Sequence, residues 1–154
     1  LVGVGFAAQG WSKKTPGYKR LPDSYDPRAA FIFDGVDDEL IGDFGLVMNG
    51  ASGDEIDRLD YSLGTPTHAM YLATSKGLQS SFYLVVHEDL YVTDKNVDGT
   101  NNQNVRSDIV YFEGDNGSAV FSIPAMGASG SLSYHNYENN ISQIMENVVR
   151  EFIK

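Results

Sequence analysis

Ile141, Ile144, Met145, Val148, Val149, Phe152 and Ile153 recur three and four residues apart. That spacing lines them up as one apolar stripe and predicts a helix over 141–153, with Asn139 or Asn140 able to cap its start. Upstream the pattern changes to short apolar runs between polar and glycine-rich stretches. Ile109–Phe112 and Ala119–Ile123 flank the sequence GDNG at 114–117 and predict an antiparallel hairpin, because Asn-Gly favours the backbone of a tight turn. Ala29–Phe33, Met70–Thr74 and Phe82–Val86 read as strands, with a short helix the alternative for the last, and Leu46–Met48 as a further short strand. The polar stretch 94–104 reads as a tip between ordered segments. Residues 1–28 hold Pro16, Pro22 and Pro27 and the basic cluster Lys13, Lys14, Lys19 and Arg20. With that much proline they cannot be one regular element, and they are expected to wrap the domain or meet chain that precedes it. Strands and loops followed by a hairpin and a terminal helix predict a three-layer α/β domain with a mixed sheet.

The formal charge of −10 argues against nucleic acid and anionic membranes as partners, since both require a positive field. It suits a neutral or cationic small molecule, or a metal ion. No apolar run approaches the ~20 residues needed to span a bilayer. Cysteine is absent, which removes disulfides, thiolate metal sites and a cysteine nucleophile, and fits a cytoplasmic setting. The chain opens at Leu1 in the apolar run LVGVGF with no signal-peptide features, and is expected to be one domain, 1–154, cut from inside a longer polypeptide.

Nine Asp or Glu residues and six glycines crowd into 33–69. A solvated acidic loop and a site held by a scaffold explain this composition equally well. Within it, Gly53-Asp54-Glu55-Ile56-Asp57-Arg58 puts Glu55 and Asp57 on one face if extended, with Arg58 opposite. Arg58 could then pair one carboxylate, while desolvation of the other would raise its pKa and suit it to general acid–base work. As a helical first turn, the same acids would instead complement the helix dipole.

IGDFGL, GASGDEIDR and DYSLGTPTHA resemble the carboxy-terminal region of the large (beta) subunit of N,N-dimethylformamidases. The resemblance continues upstream through LVGVGFAAQGW and KRLPDSYDPRAAFIFDGV. Downstream it runs from VRSDIVYFEGDNGSAVF to SLSYHNYENN and the final helix, so it covers nearly the whole chain. Its most specific pieces are GDEIDR with LGTP, and SLSYHNYENN. It implies a fold like the last part of a glutamine-amidotransferase-like domain, though without the cysteine nucleophile of true glutamine amidotransferases. It also implies hydrolysis of a small N-substituted amide to an acid and an amine by metal-assisted water attack, with Glu55 as the leading carboxylate and Asp57 or His68 nearby. The iron of such enzymes would be held mainly outside this segment, and no tyrosine here is assigned as a ligand. Implied partners are the amide substrate, the upstream chain, a small subunit and further copies in a homo-oligomer.

Other residues carry weaker expectations. His68 follows LGTPT at the mouth of a strand, while His87 and His135 show no HExxH or HxH spacing, so each reads first as a structural histidine. Asp34 after Phe31-Ile32-Phe33 and Glu113 in VYFEGDNG sit at strand ends, which line ligand crevices in such sheets by fold analogy. Asp94, Asn96 and Asp98 with Gly99 match half of a calcium loop, but its twelfth position is Val105. Ser52 and Ser129 lie in no GxSxG motif. Two rivals to the amidohydrolase reading stay open: a non-catalytic structural or oligomerisation module, and a carbohydrate- or calcium-linked domain.

Overall fold

Pro27 turns the apolar run behind it into a helical turn. In the computed structural model, which describes residues 2–85 and 97–154, Pro27–Phe33 form a 3₁₀ helix in place of the expected strand. Proline fixes φ at the first helical position, and the Asp26 carboxylate accepts the Arg28 N–H at 2.9 Å as an N-cap. The residues it buries, Ala29, Ile32 and Phe33, fall at helical spacing.

Eight strands make two sheets among the described residues: β1 Gly5–Gly10, β2 Tyr18–Arg20, β3 Leu40–Ile41, β4 Asp54–Arg58, β5 Met70–Ser75, β6 Phe82–Leu84, β7 Ser107–Glu113 and β8 Ala119–Ser122. One sheet runs β3-β2-β5-β7-β8 and the other β4-β1-β6. Every pairing is antiparallel, so the architecture is α/β but the expected mixed sheet is not found there. Residues 1–28 supply a strand to each sheet.

The hairpin is present: β7 pairs β8 from Val110–Ser122 to Glu113–Ala119, and Asn116 takes the left-handed conformation in the turn. The β5 and β6 assignments hold, with Val86 outside the described residues. Leu46–Met48 is not a strand, because Met48 and Asn49 both have positive φ and turn the chain back.

Two helices close the domain, α1 Met126–Leu132 and α2 Asn140–Phe152. Asn139 caps α2, its Oδ1 accepting the Ser142 N–H at 2.9 Å, and its Nδ2 reaches the Leu132 and Tyr134 carbonyls at 3.0 and 2.7 Å. These bonds hold an unusual connection in which His135, Asn136 and Tyr137 all have positive φ, a conformation disfavoured for residues with a Cβ.

The main core lies between the five-stranded sheet (Tyr18, Ile41, Leu72, Ile109, Tyr111), the 27–33 turn, and Ile141, Ile144 and Val148 of α2. A second cluster of Ala8, Met48, Ile56, Leu78, Phe82 and Val105 lies under the three-stranded sheet. The predicted α2 stripe is therefore buried along only part of its length, and Val149, Phe152 and Ile153 are exposed.

Candidate active site on the three-stranded sheet

β4 carries the acids of GDEIDR on an extended backbone, as the alternation of those residues requires. Ile56 and Arg58 point inward and are almost fully buried, Asp57 is half-buried, and Glu55 is exposed. Glu55 and Asp57 thus share the outer face. β1 pairs β4 along one side, and a bulge between Phe6 and Ala8 brings Phe6 opposite Asp57. A bulge of this kind twists a strand and re-aims its side chains, often beside active sites.

The other side of β4 is held by the chain entering α1. The Asp57 N–H donates to the Pro124 carbonyl at 2.9 Å, and Ile56 bridges Ala125. The two GASG stretches, 50–53 and 127–130, meet there. Gly127 N–H donates to the Gly53 carbonyl at 3.0 Å, and a Cβ on Gly127 would lie 3.0 Å from Gly53 N. A side chain at Gly127 would force the facing backbone to give by a few tenths of an ångström, so the two stretches pack tightly here.

Arg58 does not pair with Glu55 or Asp57 as expected. Its Nε and Nη2 reach Asp60 Oδ2 at 3.2 and 2.9 Å, because alternation turns Arg58 to the buried face. Asp60 lies beyond the strand end and can meet it there. Hydrogen bonds from Ser62 first, then from Arg58, hold the Asp60 carboxyl below its ordinary range. Thr65 of LGTP accepts the Asp60 N–H and donates to the Gly3 carbonyl, both at 2.9 Å. GDEIDR and LGTP therefore join around a cavity of about 90 Å³ lined by Gly3, Arg58, Asp60, Gly64 and Thr65. Burial, then the neighbouring Glu55 charge, push the pKa of Asp57 up.

The remaining candidates lie elsewhere. A His68 ring nitrogen bonds the Glu113 carbonyl at 2.9 Å, and the ring meets Phe112 edge-on. No contact among the described residues joins His68 to Glu55 or Asp57. Tyr111 donates to Glu113 Oε1 at 3.2 Å. Glu113 borders a cleft of about 640 Å³ and Asp34 a neighbouring one of about 480 Å³, the two sharing Glu151 and Lys154. Ser52 is buried, donating to the Pro16 carbonyl and accepting from Ser75. His87 and the first three residues of the half calcium loop lie outside the described residues. Among those described, no three His, Cys, Asp or Glu side chains come together to hold a metal ion.

Sequence reasoning overlooked Asp108. It is fully buried, and its carboxylate accepts four bonds: Tyr71 Oη at 2.6 Å, Thr74 Oγ1 at 2.7 Å, Arg106 Nε at 2.8 Å and Leu59 N–H at 3.0 Å. Arg106 Nη2 donates to the Leu59 carbonyl at 2.8 Å. The pair thus holds both backbone groups of the residue that follows β4. Burial, then the Asp108 charge, push the Tyr71 phenol up to about 12. An aspartate inside the apolar run SDIVYF was the available signal, since a charge in a buried strand demands partners.

These features define a sheet domain that presents paired carboxylates on a β-strand braced from both edges. A family profile for "N,N-dimethylformamidase beta subunit-like, C-terminal" matches residues 1–140. The N,N-dimethylformamidase beta subunit of Paracoccus aminophilus is 44% identical over 156 residues, covering all of this chain and 20% of that protein. The beta subunit from Alcaligenes sp is 40% identical with the same coverage. The chain belongs to the N,N-dimethylformamidase beta subunit-like family, in which it corresponds to the carboxy-terminal region. It spans about one fifth of the length of these relatives. Among the described residues no helix is long and apolar enough to cross a membrane.

Proposed function

We propose that this chain forms one wall of the active site of an amidohydrolase that cleaves a small N-substituted amide, of the N,N-dimethylformamide type, to an acid and an amine. The observation that carries the reading is the Glu55–Asp57 pair on β4, in the GDEIDR stretch through which the chain resembles the family. Glu55 takes a proton from the attacking water as its oxygen bonds to the carbonyl carbon. The C–N bond then breaks, and Asp57, which burial and the Glu55 charge keep protonated to higher pH, gives its proton to the departing nitrogen. Transfer of the proton from Glu55 back to Asp57 resets the pair. The reaction so written needs nothing from His68.

Family resemblance supplies an iron ion that would polarise the carbonyl and acidify water. Among the described residues no three His, Cys, Asp or Glu side chains come together; we propose that its ligands lie mainly in the rest of the protein and route no step through it. The name beta subunit carried by the relatives supports assembly with a second kind of subunit, and we propose further copies alongside it. We also propose that the complete chain builds a glutamine-amidotransferase-like fold around these sheets, in the cytoplasm.

The exposed Val149, Phe152 and Ile153 at the end of α2 favour a second reading, a non-catalytic module that only builds the assembly. The test is dimethylamine release from N,N-dimethylformamide by the complete, iron-loaded protein. Release supports the hydrolase; a protein that binds no iron and releases no amine supports the assembly module.

A further inference from the structure

Directly across the small sheet from Glu55 stands Gln9 of β1, and directly across from Gln9 stands Tyr83 of β6. Cross-strand partners project from the same face, so the three side chains form one row on the outer face. All three are exposed, Tyr83 by 51%. No hydrogen bond or ion pair among the described residues uses the Glu55 carboxylate, the Gln9 carboxamide or the Tyr83 hydroxyl. The fold therefore gains little from their identity.

Their backbones, by contrast, are firmly held. Gly10, next to Gln9, lies so close to β6 that a Cβ there would come within 2.3 Å of the Ser81 carbonyl oxygen. Beyond β6, Leu84 N–H donates to the Val97 carbonyl and Gly99 N–H to the Phe82 carbonyl, and Tyr83 bridges Asp98. The row is thus mounted on three strands braced on both edges.

Neighbouring strands lie ~4.8 Å apart, so Glu55 and Tyr83 are separated by about 10 Å with Gln9 between them. That span suits a small amide with its attacking water at one end. We infer that Gln9 and Tyr83 are specificity residues of the proposed hydrolase. The Gln9 carboxamide donates a hydrogen bond to the substrate carbonyl next to Glu55, and the Tyr83 ring packs against the N-alkyl groups. The inference rests on the amidohydrolase reading and adds how the two ends of the substrate are told apart.

The test compares kcat/KM for N,N-dimethylformamide and unsubstituted formamide in the complete protein, for wild type and Glu55→Gln, Gln9→Ala, Tyr83→Ala and Tyr83→Phe. Tyr83→Ala is expected to cut the preference for the dimethylated amide about tenfold, the scale of two methyl groups losing an apolar contact. Tyr83→Phe is expected to preserve it. Gln9→Ala is expected to lower kcat/KM for both amides by about tenfold or more, with the preference between them unchanged. An inactive Glu55→Gln beside wild-type rates and selectivity in the Gln9→Ala and Tyr83→Ala variants overturns this inference and leaves the hydrolase standing. An active Glu55→Gln, or a wild type that hydrolyses neither amide, overturns both.

Discussion

Asp57 lies beside Glu55 on the outer face of β4, and the Glu55 charge adds to burial in raising the pKa of Asp57. The folded chain therefore holds the Asp57 proton more tightly than the unfolded chain does. By linkage, the contribution is fully present below the ordinary Asp value of 3.8 and is lost as pH rises through the raised folded value. Asp57→Asn removes that loss. The variant is expected to melt above wild type at neutral pH and level with it below the ordinary Asp range. Melting curves across that range check the sign, and a gain that grows towards acid contradicts it.

Asp108 should be among the costliest polar residues to remove. Asp108→Ala leaves the Leu59 N–H, the Thr74 hydroxyl and the Nε of half-buried Arg106 without the acceptor they share. Breaking one side of a buried ion pair costs about 3–5 kcal/mol. Urea unfolding is expected to show a loss on that scale, larger than that of Arg28→Ala, whose pair with Asp26 lies in solvent and is screened.

The two faces of α2 make a matched pair of substitutions. Val148 is 5% exposed and Val149 is 51% exposed. Val148→Asp buries an unpaired charge and is expected to destabilise by several kcal/mol, on the order of 3 or more, whereas Val149→Asp should stay within about 0.5 kcal/mol. Equal melting temperatures for the two would refute the core assignment.

Asn139 does three jobs with one side chain: it caps α2, and it bonds the Leu132 and Tyr134 carbonyls. Asn139→Asp keeps the cap oxygen and loses the amide donor; Asn139→Ala loses both. The alanine variant is expected to be destabilised by about 2 kcal/mol, and the aspartate variant, which keeps the cap and loses only the carbonyl bonds, by less. Equal losses would place the whole effect in the carbonyl bonds.

The elements legible from sequence were those fixed by local periodicity. The α2 stripe, the Asn139 cap and the hairpin around Asn116-Gly117 all follow from side chains a few residues apart. Ala29–Phe33 was misread because five apolar residues fit a strand or a helical turn equally, and the preceding Asp26-Pro27 decided between them. Of the site, the alternation of Glu55, Asp57 and Arg58 was legible, but the partner of Arg58 was not. Asp60 reaches Arg58 only because the chain turns after β4. Asp108 showed as a charge within SDIVYF, but its partners, like the row of Gln9 and Tyr83, stayed hidden for a stronger reason. Their surroundings are assembled from strands as far apart as β1, β5 and β7, and single-chain spacing carries no record of that pairing.

Dimethylamine release by the complete, iron-loaded protein carrying Glu55→Gln, set against wild type, tests the central claim most directly. The account predicts an unchanged melting temperature, since Glu55 is exposed and unused by the fold, and a fall in turnover of at least about 10²-fold, the scale of a lost general base. Turnover near the wild-type rate would contradict it and remove β4 from the chemistry.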